Sequence, residues 1–412
     1  MTDTLIILKN RIFMLIDRNS YTERIVKFSG TGLIKVITGQ RRSGKSSILK
    51  LLVQKFQSTS EKTNIIFIDK ELNEFEFLRD GKALHKYIRQ NLKSRGRNII
   101  CIDEVQEIRD FENPLREFAA SGSADIYITG SNATMLSGDL ATRLSGRYIE
   151  FNVKPLGYSE FLRFHKLPNN DDILHLYLRF GGMPYLVNIS LEDEIVNQYL
   201  RSIFDTILLK DIIKRFNIRN VDFLYRLAAF LADNTGQLVS ANRISSFIKS
   251  QKIEVTANMT LDYLRYLTQS YFIHRVQRMD LAGKKIFEVN EKYYFDDLGL
   301  RNMLVGYKPG DISKLIENAV YHHLAFLGFR IYVGKIGELE IDFAAEKNNK
   351  TVYIQSAYLL PDDKVVKREF GNLLKIDDNF NKYVVSLDPA GGGNYKGIRH
   401  LHLREFLMMN DI

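Results

Sequence analysis

Residues 39–46 read Gly-Gln-Arg-Arg-Ser-Gly-Lys-Ser, and this stretch decides the fold. It matches the phosphate-binding loop pattern G-x-x-x-x-G-K-[ST] at every fixed position. The sequence around it predicts a short buried strand over residues 33–38 and an amphipathic helix over residues 47–56. A Gly/Ser turn with a solvated lysine is the alternative, but strand, loop and helix together favour a nucleotide site.

The residue types in this loop suit a bound triphosphate with its magnesium ion. Gly39 and Gly44 let the backbone turn so that successive N–H groups point at an anion, and the helix N-terminus adds partial positive charge. Lys45 is expected to reach the β- and γ-phosphates, and the Ser46 hydroxyl to bind Mg²⁺. ATP and Mg²⁺ are therefore the expected cofactors. The predicted nucleotide contacts are Gly39, Arg42, Gly44, Lys45, Ser46 and Ser47.

An apolar run that ends in two acids is the second informative feature. Strands predicted over 64–69 and 98–103, joined by a helix over 80–95, imply a parallel sheet with helices on both faces. Residues at the carboxyl ends of such strands face the ligand crevice. Asp103 is therefore predicted to hold Mg²⁺ through its water shell, and Glu104 to activate the attacking water as a general base. A helix cap or a solvated turn is the alternative.

Candidates for the remaining catalytic groups follow further along the chain. After a strand predicted over 125–129, Asn132 could sense the γ-phosphate or orient the water, and a plain Gly-Ser-Asn turn is the alternative. Arg143 and Arg147 precede a strand predicted over 148–153, and either could act as the arginine finger that stabilises transition-state charge. A surface or structural role for both arginines is the alternative.

The chain resembles a known family over nearly its whole length. The resemblance is to the AAA+-type ATPases of bacteria and archaea in which the ATPase core is followed by a C-terminal domain of unknown function. It implies an α/β phosphate-loop core with a helical lid, a winged-helix region and a terminal domain similar to PD-(D/E)xK nucleases. The stretches that carry it are GQRRSGKS (39–46), IICIDEVQ (99–106), ITGSN (128–132), LSGRYIEFNVKPLGYSEF (144–161), LRFGGMPYLV (178–187), KYYFDDLGLRN (292–302), ENAVYHHL (317–324) and ELEIDF (338–343).

The domain boundaries follow from the pattern and the resemblance together. Residues 155–215 are predicted to be helical with breaks at two loops, which fits a small lid subdomain. The boundaries predicted are 1–153 for the ATPase core, 154–215 for the lid, 216–308 for the winged-helix region and 309–412 for the nuclease-like domain.

The winged-helix prediction rests on three helices followed by a two-stranded wing, with Ser240 as an N-cap. Arg265 on the third helix and Lys284 and Lys285 in the wing are the predicted DNA contacts. Asp262 on the same helix weakens this signature, and a winged helix used for packing or partner binding is the alternative. The predicted elements are helices over 222–234, 240–250 and 256–269 and strands over 271–278 and 285–289.

The C-terminal order of helices and strands is typical of a restriction-nuclease-like core. In that fold acids at strand ends hold Mg²⁺, and a lysine two residues after the last ligand assists the attacking water. Glu317, Asp342 and Gln355 match the ligand positions, but Ala357 stands where the lysine belongs. We therefore expect a nuclease-like domain that no longer cuts, and an ATP-regulated nuclease is the alternative.

Other charged residues of this region leave alternatives open. Glu338 and Glu340 also fit solvated acids on an alternating strand. Lys335 or Lys350 could migrate into the role of the missing lysine, although nothing in the spacing supports either.

Composition places the chain among ordinary globular proteins. It has 412 residues, of which 45% are hydrophobic and 26% charged, and no run approaches the ~20 apolar residues of a membrane span. Residues 5–28 are predicted to be helical and lack the features of a signal peptide. The single cysteine, Cys101, cannot form an internal disulfide, which fits a reducing cytoplasm.

The net charge of +9 favours contact with a polyanion, although a basic nucleotide-binding protein would show it equally. We therefore expect a cytoplasmic AAA+-type ATPase that binds and hydrolyses ATP and acts as a nucleotide-dependent switch on double-stranded DNA. A switch that engages a protein partner without DNA is the second hypothesis. No membrane partner is expected, and a homo-oligomer is compatible with the sequence.

Overall fold

The structure is a computed structural model of the chain. It describes residues 4–8, 11–58, 63–131, 143–144, 146–287, 290–389 and 392–412, with side chains from residue 16 onward. The chain divides into two compact units. Unit 1 contains residues 1–154 and 269–271, and unit 2 contains residues 155–268 and 272–412.

Unit 1 is built on a five-stranded sheet whose described strands all run parallel. The strand order is β4-β5-β6-β3-β7. The central strands read as continuous apolar runs because helices cover both faces of the sheet. These strands are β3 (Ile34–Thr38), β4 (Thr63–Asp69), β5 (Arg97–Asp103), β6 (Asp125–Gly130) and β7 (Tyr148–Asn152).

Helices pack on both faces of this sheet and bury its two apolar sides. On one face the core includes Ile102 of β5 and Ile128 of β6. On the other face, the ring of Phe56 lies against that of Tyr127. This α/β arrangement with a parallel core confirms the predicted fold class and the predicted order of strands and helices. The helices of unit 1 are α1 (Asn19–Val26), α2 (Lys45–Gln57), α3 (Gly81–Asn91) and α4 (Glu112–Ala120).

The first part of the helix predicted over residues 5–28 is wrong. Strands β1 (Thr4–Leu8) and β2 (Arg11–Leu15) pair antiparallel, and only α1 is helical. Five-residue segments rich in isoleucine, leucine and phenylalanine are too short to hold an isolated helix, and they gain a full ladder of backbone hydrogen bonds by pairing with each other. That pairing is not visible from helical periodicity.

Unit 2 begins with a series of helices broken at two loops, as the sequence predicts for residues 155–215. Helix α7 (Asp193–Thr206) continues into a π-helical stretch, Ile207–Ile213. Ser240 caps the helix that follows it, since its side chain accepts a hydrogen bond from the Arg243 N–H, as predicted. The other helices are α5 (Tyr158–His165), α6 (Asp171–Phe180), α8 (Val221–Asp233), α9 (Ala241–Ser250), α10 (Ala257–Gln269), α11 (Leu298–Val305) and α12 (Ile312–Phe326).

The segment predicted as the second wing strand, residues 285–289, is not the described partner of β8 (Ile273–Val276), but residues 285–287 pair antiparallel with residues 278–280 across the predicted turn. β8 pairs antiparallel with β10 (Lys292–Phe295), a strand predicted only as part of a family motif. Within 285–287, the described part of that segment, Ile286 forms an isolated bridge to Met279. Local alternation therefore identified the turn correctly but did not identify the partner of β8, because strand pairing is a non-local choice.

A seven-stranded mixed sheet forms the rest of unit 2, in the order β15-β16-β14-β13-β12-β11-β9. The elements are β9 (Arg278–Asp280), β11 (Arg330–Ile336), β12 (Leu339–Lys347), β13 (Lys350–Ser356), α13 (Asp363–Leu374), β14 (Asn381–Ser386), β15 (Asn394–Tyr395), β16 (Ile398–His402) and α14 (Leu403–Phe406).

A buried arginine holds the centre of unit 2. Arg301, on α11, is fully buried and donates to the Ala232 carbonyl at 2.8 Å and to the Asp311 carboxylate at 2.7 Å. Nearby, the Asp297 carboxylate accepts from the N–H groups of Gly182 and Leu300. Burial of these charged groups is tolerated because each is paired. Among the described residues, no helix is both long enough and apolar enough to cross a bilayer.

Replacement of Arg301 tests this arrangement. Arg301→Met keeps most of the side-chain volume but removes the guanidinium that donates to the Asp311 carboxylate. Unit 2 should therefore lose about 3 kcal/mol of stability. The matched control is Arg265→Met, which breaks an exposed 2.8 Å ion pair with Asp262 and should cost less than about 1 kcal/mol. Urea unfolding monitored by circular dichroism measures both changes, and equal losses would show that the Arg301 hydrogen bonds give no net stability.

Candidate functional site

The phosphate-loop sequence forms a tight turn between the end of β3 and the start of α2. Gly39 has φ +139°, and a Cβ there would lie 2.1 Å from the Val153 carbonyl oxygen. Gly44 has φ +100° and stands directly before Lys45, the first residue of α2. Both positions therefore require glycine, one for its backbone angle and for space, the other for its backbone angle.

Lys45 folds back over this loop. Its side chain is buried, and the Nζ donates to the Gly39 and Gln40 carbonyls at 3.0 and 2.9 Å. Gly44 at the N-cap supplies no side-chain hydrogen bond to the first turn of α2. The first-turn amides and one ammonium group therefore form a cradle of positive charge that suits an anion.

Three buried side chains at this cradle hold polar atoms without a hydrogen-bond partner in the described part of the chain. The atoms are the side-chain amide nitrogen and oxygen of Gln40, the Ser43 hydroxyl and the Ser131 hydroxyl. Each of these residues is at most 1% exposed. Buried polar atoms are almost always satisfied, so a polar ligand is the natural partner for this set. The residues present thus fit a bound phosphate group.

Asp103 lies at the carboxyl end of β5 and contacts the first turn of α2. Its carboxylate accepts hydrogen bonds from the hydroxyls of Thr129 and Ser46. Burial raises the pKa of Asp103 to about 6, and these two hydrogen bonds oppose the rise. A hydroxyl and a carboxylate both offer oxygen ligands, which Mg²⁺ prefers. Ser46 and Asp103 are thus brought together, as the sequence predicts.

Glu104 adopts a backbone conformation that is rare for its residue type. Its φ and ψ are +53° and +51°, in the left-handed region, and its side chain is buried. The Glu104 N–H donates to the Thr129 hydroxyl at 2.9 Å, and the Gln106 amide donates to the Glu104 carboxylate. Strain of this kind is often found where a side chain must point at a functional site.

Thr129 is a residue that the sequence reasoning missed. It binds both acids, because β5 and β6 are paired and Ile102 and Ile128 are in register. Its only signal in the sequence was its place at the end of a buried strand next to the acids. Arg18 was missed as well. Its buried guanidinium donates to the Ser43 and Lys154 carbonyls at 2.9 and 3.0 Å. The hydrogen bond to Ser43 anchors the phosphate loop.

Of the remaining predicted catalytic residues, one lies outside the described residues and one lies away from the phosphate loop. Asn132 lies outside the described residues. Arg147 precedes β7, and its carbonyl accepts from the Ile34 N–H at the start of β3. The phosphate loop follows the other end of β3, about 16 Å along the strand. Arg147 is therefore far from the loop of its own chain.

The other two arginines considered for nucleotide contact are exposed. Arg143 pairs with Asp110 and Glu112, each at 3.6 Å, and half of its side chain is exposed. Arg42 has φ +68° and an exposed side chain in the phosphate loop, whereas Ser47 in α2 is half-buried. The finger role of Arg143 and the nucleotide role of Arg42 remain predictions.

The predicted DNA contacts lie on the surface of unit 2. Arg265 is paired with Asp262 at 2.8 Å, as their shared helix suggested. Lys284 and Lys285 are exposed in a turn closed by the hydrogen bond from the Asp280 N–H to the Lys285 carbonyl. The turn thus presents two cations, whereas the charge of Arg265 is partly neutralised.

The three residues predicted for a nuclease-like site do come together in unit 2. The Asp342 N–H donates to the Gln355 side-chain oxygen at 3.4 Å. A lysine that the sequence reasoning missed, Lys292 on β10, places its Nζ 2.8 Å from Glu317 and 3.3 Å from Asp342. The same Nζ lies 2.9 Å from Glu340. Glu340 is therefore an ion-pair partner whose side chain is still 36% exposed, whereas Glu338 is a fully solvated acid.

Lys292 fills the centre of this carboxylate cluster. Burial opposes its charge, but Glu317, Asp342 and Glu340 outweigh burial and raise the pKa of the ammonium. Burial raises the pKa of Glu317 and of Asp342 despite the lysine beside them. Within the described part of the chain, no group of three or more metal-ligating side chains is arranged to hold a metal ion. An ammonium group balances these acids instead.

Two family models match parts of the chain. Residues 31–162 match the AAA domain family, and residues 171–311 match a domain of unknown function. The chain is 33% identical to an uncharacterized protein of Haemophilus influenzae over 400 residues, which cover 96% of this chain and 99% of the relative. An uncharacterized protein of Methanocaldococcus jannaschii is 26% identical over 342 residues, which cover 79% of this chain and 75% of that protein.

A solved structure shares the fold. The Walker-type ATPase of Pyrococcus abyssi superposes with a TM-score of 0.50 at 16% identity, over 70% of this chain and 96% of that one. At this identity the likeness concerns the fold alone. Together with the AAA domain match, it supports an AAA+-type phosphate-loop fold for the chain.

Removal of Lys292 should make stability depend more steeply on pH. In Lys292→Met the buried carboxylates lose their cation, so their pKa values rise further and the folded state binds more protons than the unfolded chain. The variant should lose about 3 kcal/mol at pH 8 and clearly less at pH 5, where the carboxyls are protonated. Thermal melting at both pH values measures this difference.

Lys335→Met is the matched control for this experiment. Lys335 lies 3.8 Å from Glu338, which is 98% exposed, so its loss should change stability little and equally at both pH values. If Lys292→Met lost the same stability at pH 5 and pH 8, the ammonium would not be the partner that keeps these acids charged.

Proposed function

We propose that this chain, which belongs to the same family as the Haemophilus influenzae protein, binds and hydrolyses ATP in its AAA+-type unit. The observation that carries the proposal is the contact between Ser46 and Asp103 behind a glycine-dependent anion cradle. These two residues come from α2 and β5, and a hydroxyl next to a carboxylate beside an anion cradle is the arrangement that would hold the metal ion of a bound nucleotide.

The cradle assigns a binding role to each of its groups. The Lys45 ammonium and the first-turn amides of α2 would bind the phosphates, and Ser46 and Asp103 would hold Mg²⁺. Magnesium held by Ser46 and Asp103 would supply positive charge that offsets the negative charge of the phosphates. The unpartnered amide of Gln40 and hydroxyl of Ser43 would satisfy their hydrogen bonds within the bound complex.

Glu104 is the proposed general base. Its backbone strain and its hydrogen bond to Thr129 hold the carboxylate beside the metal ligand Asp103. A general base must be fixed within reach of the proton that it removes, and the Gln106 amide restrains this carboxylate further. The buried Ser131 hydroxyl follows β6 and could orient the water, a role that we propose alongside that of Asn132.

We further propose that the ATPase acts as a switch on double-stranded DNA through unit 2. The support for this is the net charge of +9 and the exposed turn that carries Lys284 and Lys285. Such lysines would contact phosphates and position the protein without reading sequence. Mg²⁺, ATP and DNA are then the proposed ligands, in a cytoplasmic protein.

A protein partner is the second candidate, and one observation favours it. The helices α9 and α10 expose two large apolar side chains, Phe247 at 46% and Leu261 at 54%. The cation of α10, Arg265, is paired with Asp262, whereas α9 also exposes Arg243 and Lys249. Burial of these side chains against a protein partner would contribute hydrophobic free energy to binding. The charged DNA backbone cannot make that contribution.

We propose that the nuclease-like cluster does not cut. A lysine surrounded by three carboxylates occupies the position between them, and the lysine expected at residue 357 is an alanine. The cluster then stabilises unit 2 and does not activate water.

ATP turnover of Glu104→Gln tests the proposed function. The amide keeps the size of the side chain but cannot accept a proton, so kcat should fall at least about 100-fold while ATP affinity changes little. Glu107→Gln, an exposed acid three residues on, is the matched control and should turn over like the wild type. Wild-type turnover by Glu104→Gln would remove Glu104 from the mechanism.

The same assay with duplex DNA separates the two partner classes. If DNA is the target, it should stimulate wild-type turnover, and the double variant Lys284→Gln/Lys285→Gln should lose the stimulation and show a flatter salt dependence of DNA binding. Turnover and ATP binding without DNA should stay at the wild-type level. No stimulation and no measurable DNA affinity would favour the protein partner.

A further inference from the structure

A group of hydrogen-bonded polar side chains lies at the β7 edge of the five-stranded sheet. The Glu150 carboxylate accepts from the Thr38 hydroxyl at 2.6 Å and from the Tyr271 hydroxyl at 3.2 Å. The Asn152 amide donates to the Thr38 hydroxyl at 3.3 Å. These four residues all belong to unit 1, and the proposed reaction uses none of them.

This group adjoins the first residue of the phosphate loop. Thr38 is fully buried and ends β3, so Gly39 is its direct neighbour in the chain. The Val153 N–H donates to the Thr38 carbonyl at 2.7 Å, and the Val153 carbonyl is the atom that leaves no room for a side chain at Gly39. The end of β7 therefore contacts both the phosphate loop and, through Glu150, Tyr271.

Tyr271 is held in a conformation that a bulky residue rarely adopts. Its φ is +57°, and its side chain is 7% exposed. Burial, together with the charge of Glu150, raises the pKa of the Tyr271 hydroxyl, which therefore stays protonated and donates its hydrogen bond. Such strain persists only where surrounding contacts hold the residue in place.

Tyr271 lies in a three-residue segment at which the chain passes between the two units. Residues 269–271 belong to unit 1, whereas the residues on either side, 268 and 272, belong to unit 2. The segment follows directly on the body of α10 and leads into β8. The Tyr271 hydroxyl also forms hydrogen bonds with the side chains of Thr38 and Asn152. A change at the phosphate loop that reaches Thr38 therefore acts, both directly and through Glu150, on the short segment that joins these two elements.

We propose that the hydrogen bond of Tyr271 to Glu150 couples the phosphate loop to residues 269–276. The coupling rests on the proposed function, since it requires that nucleotide binds the loop. A loop conformation that differs between free and bound states changes the Thr38–Glu150 hydrogen bond, and Tyr271 then favours a different backbone conformation of its segment.

Hydrogen–deuterium exchange of the full-length chain tests this coupling. The probes are Mg²⁺ with ADP and Mg²⁺ with a non-hydrolysable ATP analogue. In the wild type, exchange of residues 269–276 should differ at least about five-fold between nucleotide-free and nucleotide-bound protein. In Tyr271→Phe, nucleotide affinity should stay within about three-fold of the wild type while this response of residues 269–276 disappears.

Two further variants separate coupling from simple loss of packing. Tyr293→Phe removes another buried tyrosine hydroxyl that donates to a glutamate, 3.1 Å from Glu291 in unit 2, and should keep the full response. Glu150→Gln retains an oxygen acceptor and should keep most of the response, whereas Glu150→Leu should lose it. If Tyr271→Phe does not fold, this pair of Glu150 variants decides the question.

The outcomes distinguish this inference from the proposed function. No nucleotide binding by the wild type would overturn the proposed function and the coupling with it. Nucleotide binding with no response of residues 269–276 in the wild type, or with an undiminished response in Tyr271→Phe or Glu150→Leu, would overturn the coupling alone.

Discussion

One close approach between two backbone segments determines the geometry of the nucleotide site. The Val153 carbonyl lies where a side chain on Gly39 would have to be, so the loop begins with a turn that only glycine permits. From this turn the backbone runs to Gly44 and the start of α2, and Lys45 folds back onto the loop that it follows. The anion cradle is therefore a consequence of how β3 and β7 are paired.

Paired strands bring the acidic half of the site to the same edge. Asp103 and Thr129 end two neighbouring parallel strands, and the hydroxyl of Thr129 joins Asp103 to the backbone of Glu104. Burial raises the pKa of Asp103 to about 6, and a cation beside the carboxylate would make its charged form more favourable. A lysine, a hydroxyl and a carboxylate thus meet at one point because the sheet is parallel.

The distribution of positive charge differs from what composition suggests. Some of the basic residues are internal and hold the structure together, among them Arg18, Lys35, Lys292 and Arg301. In unit 2, Lys292 and Arg301 are matched by buried acids. Because buried acids accompany these internal cations, their burial does not lower the net charge of +9, and the exposed turn at Lys284 and Lys285 is one place where positive charge lies on the surface.

Sequence reasoning succeeded where the signal is local and failed where it is not. Buried parallel strands read as unbroken apolar runs, so β3 and β5 and the residues at their ends could be predicted. The hairpin of β1 and β2, the partner of β8 and the place of Lys292 depend on contacts between distant segments, which periodicity does not encode. Thr129 matters only because its neighbour across the sheet is Asp103, and that neighbour becomes visible once strand order is known.

Calorimetric titration of Mg²⁺-ATP into the wild type, Gly39→Ala and Gly122→Ala tests the central claim most directly. Gly122 also has a positive φ, +64°, but a Cβ there meets nothing within 4 Å, so this variant carries similar backbone strain without the clash. We expect the wild type and Gly122→Ala each to bind Mg²⁺-ATP at one site per chain. Gly39→Ala should bind it at least about 100-fold more weakly, a loss of roughly 2.7 kcal/mol of binding free energy. Absence of binding in the wild type, or equal binding by both variants, would contradict the central claim.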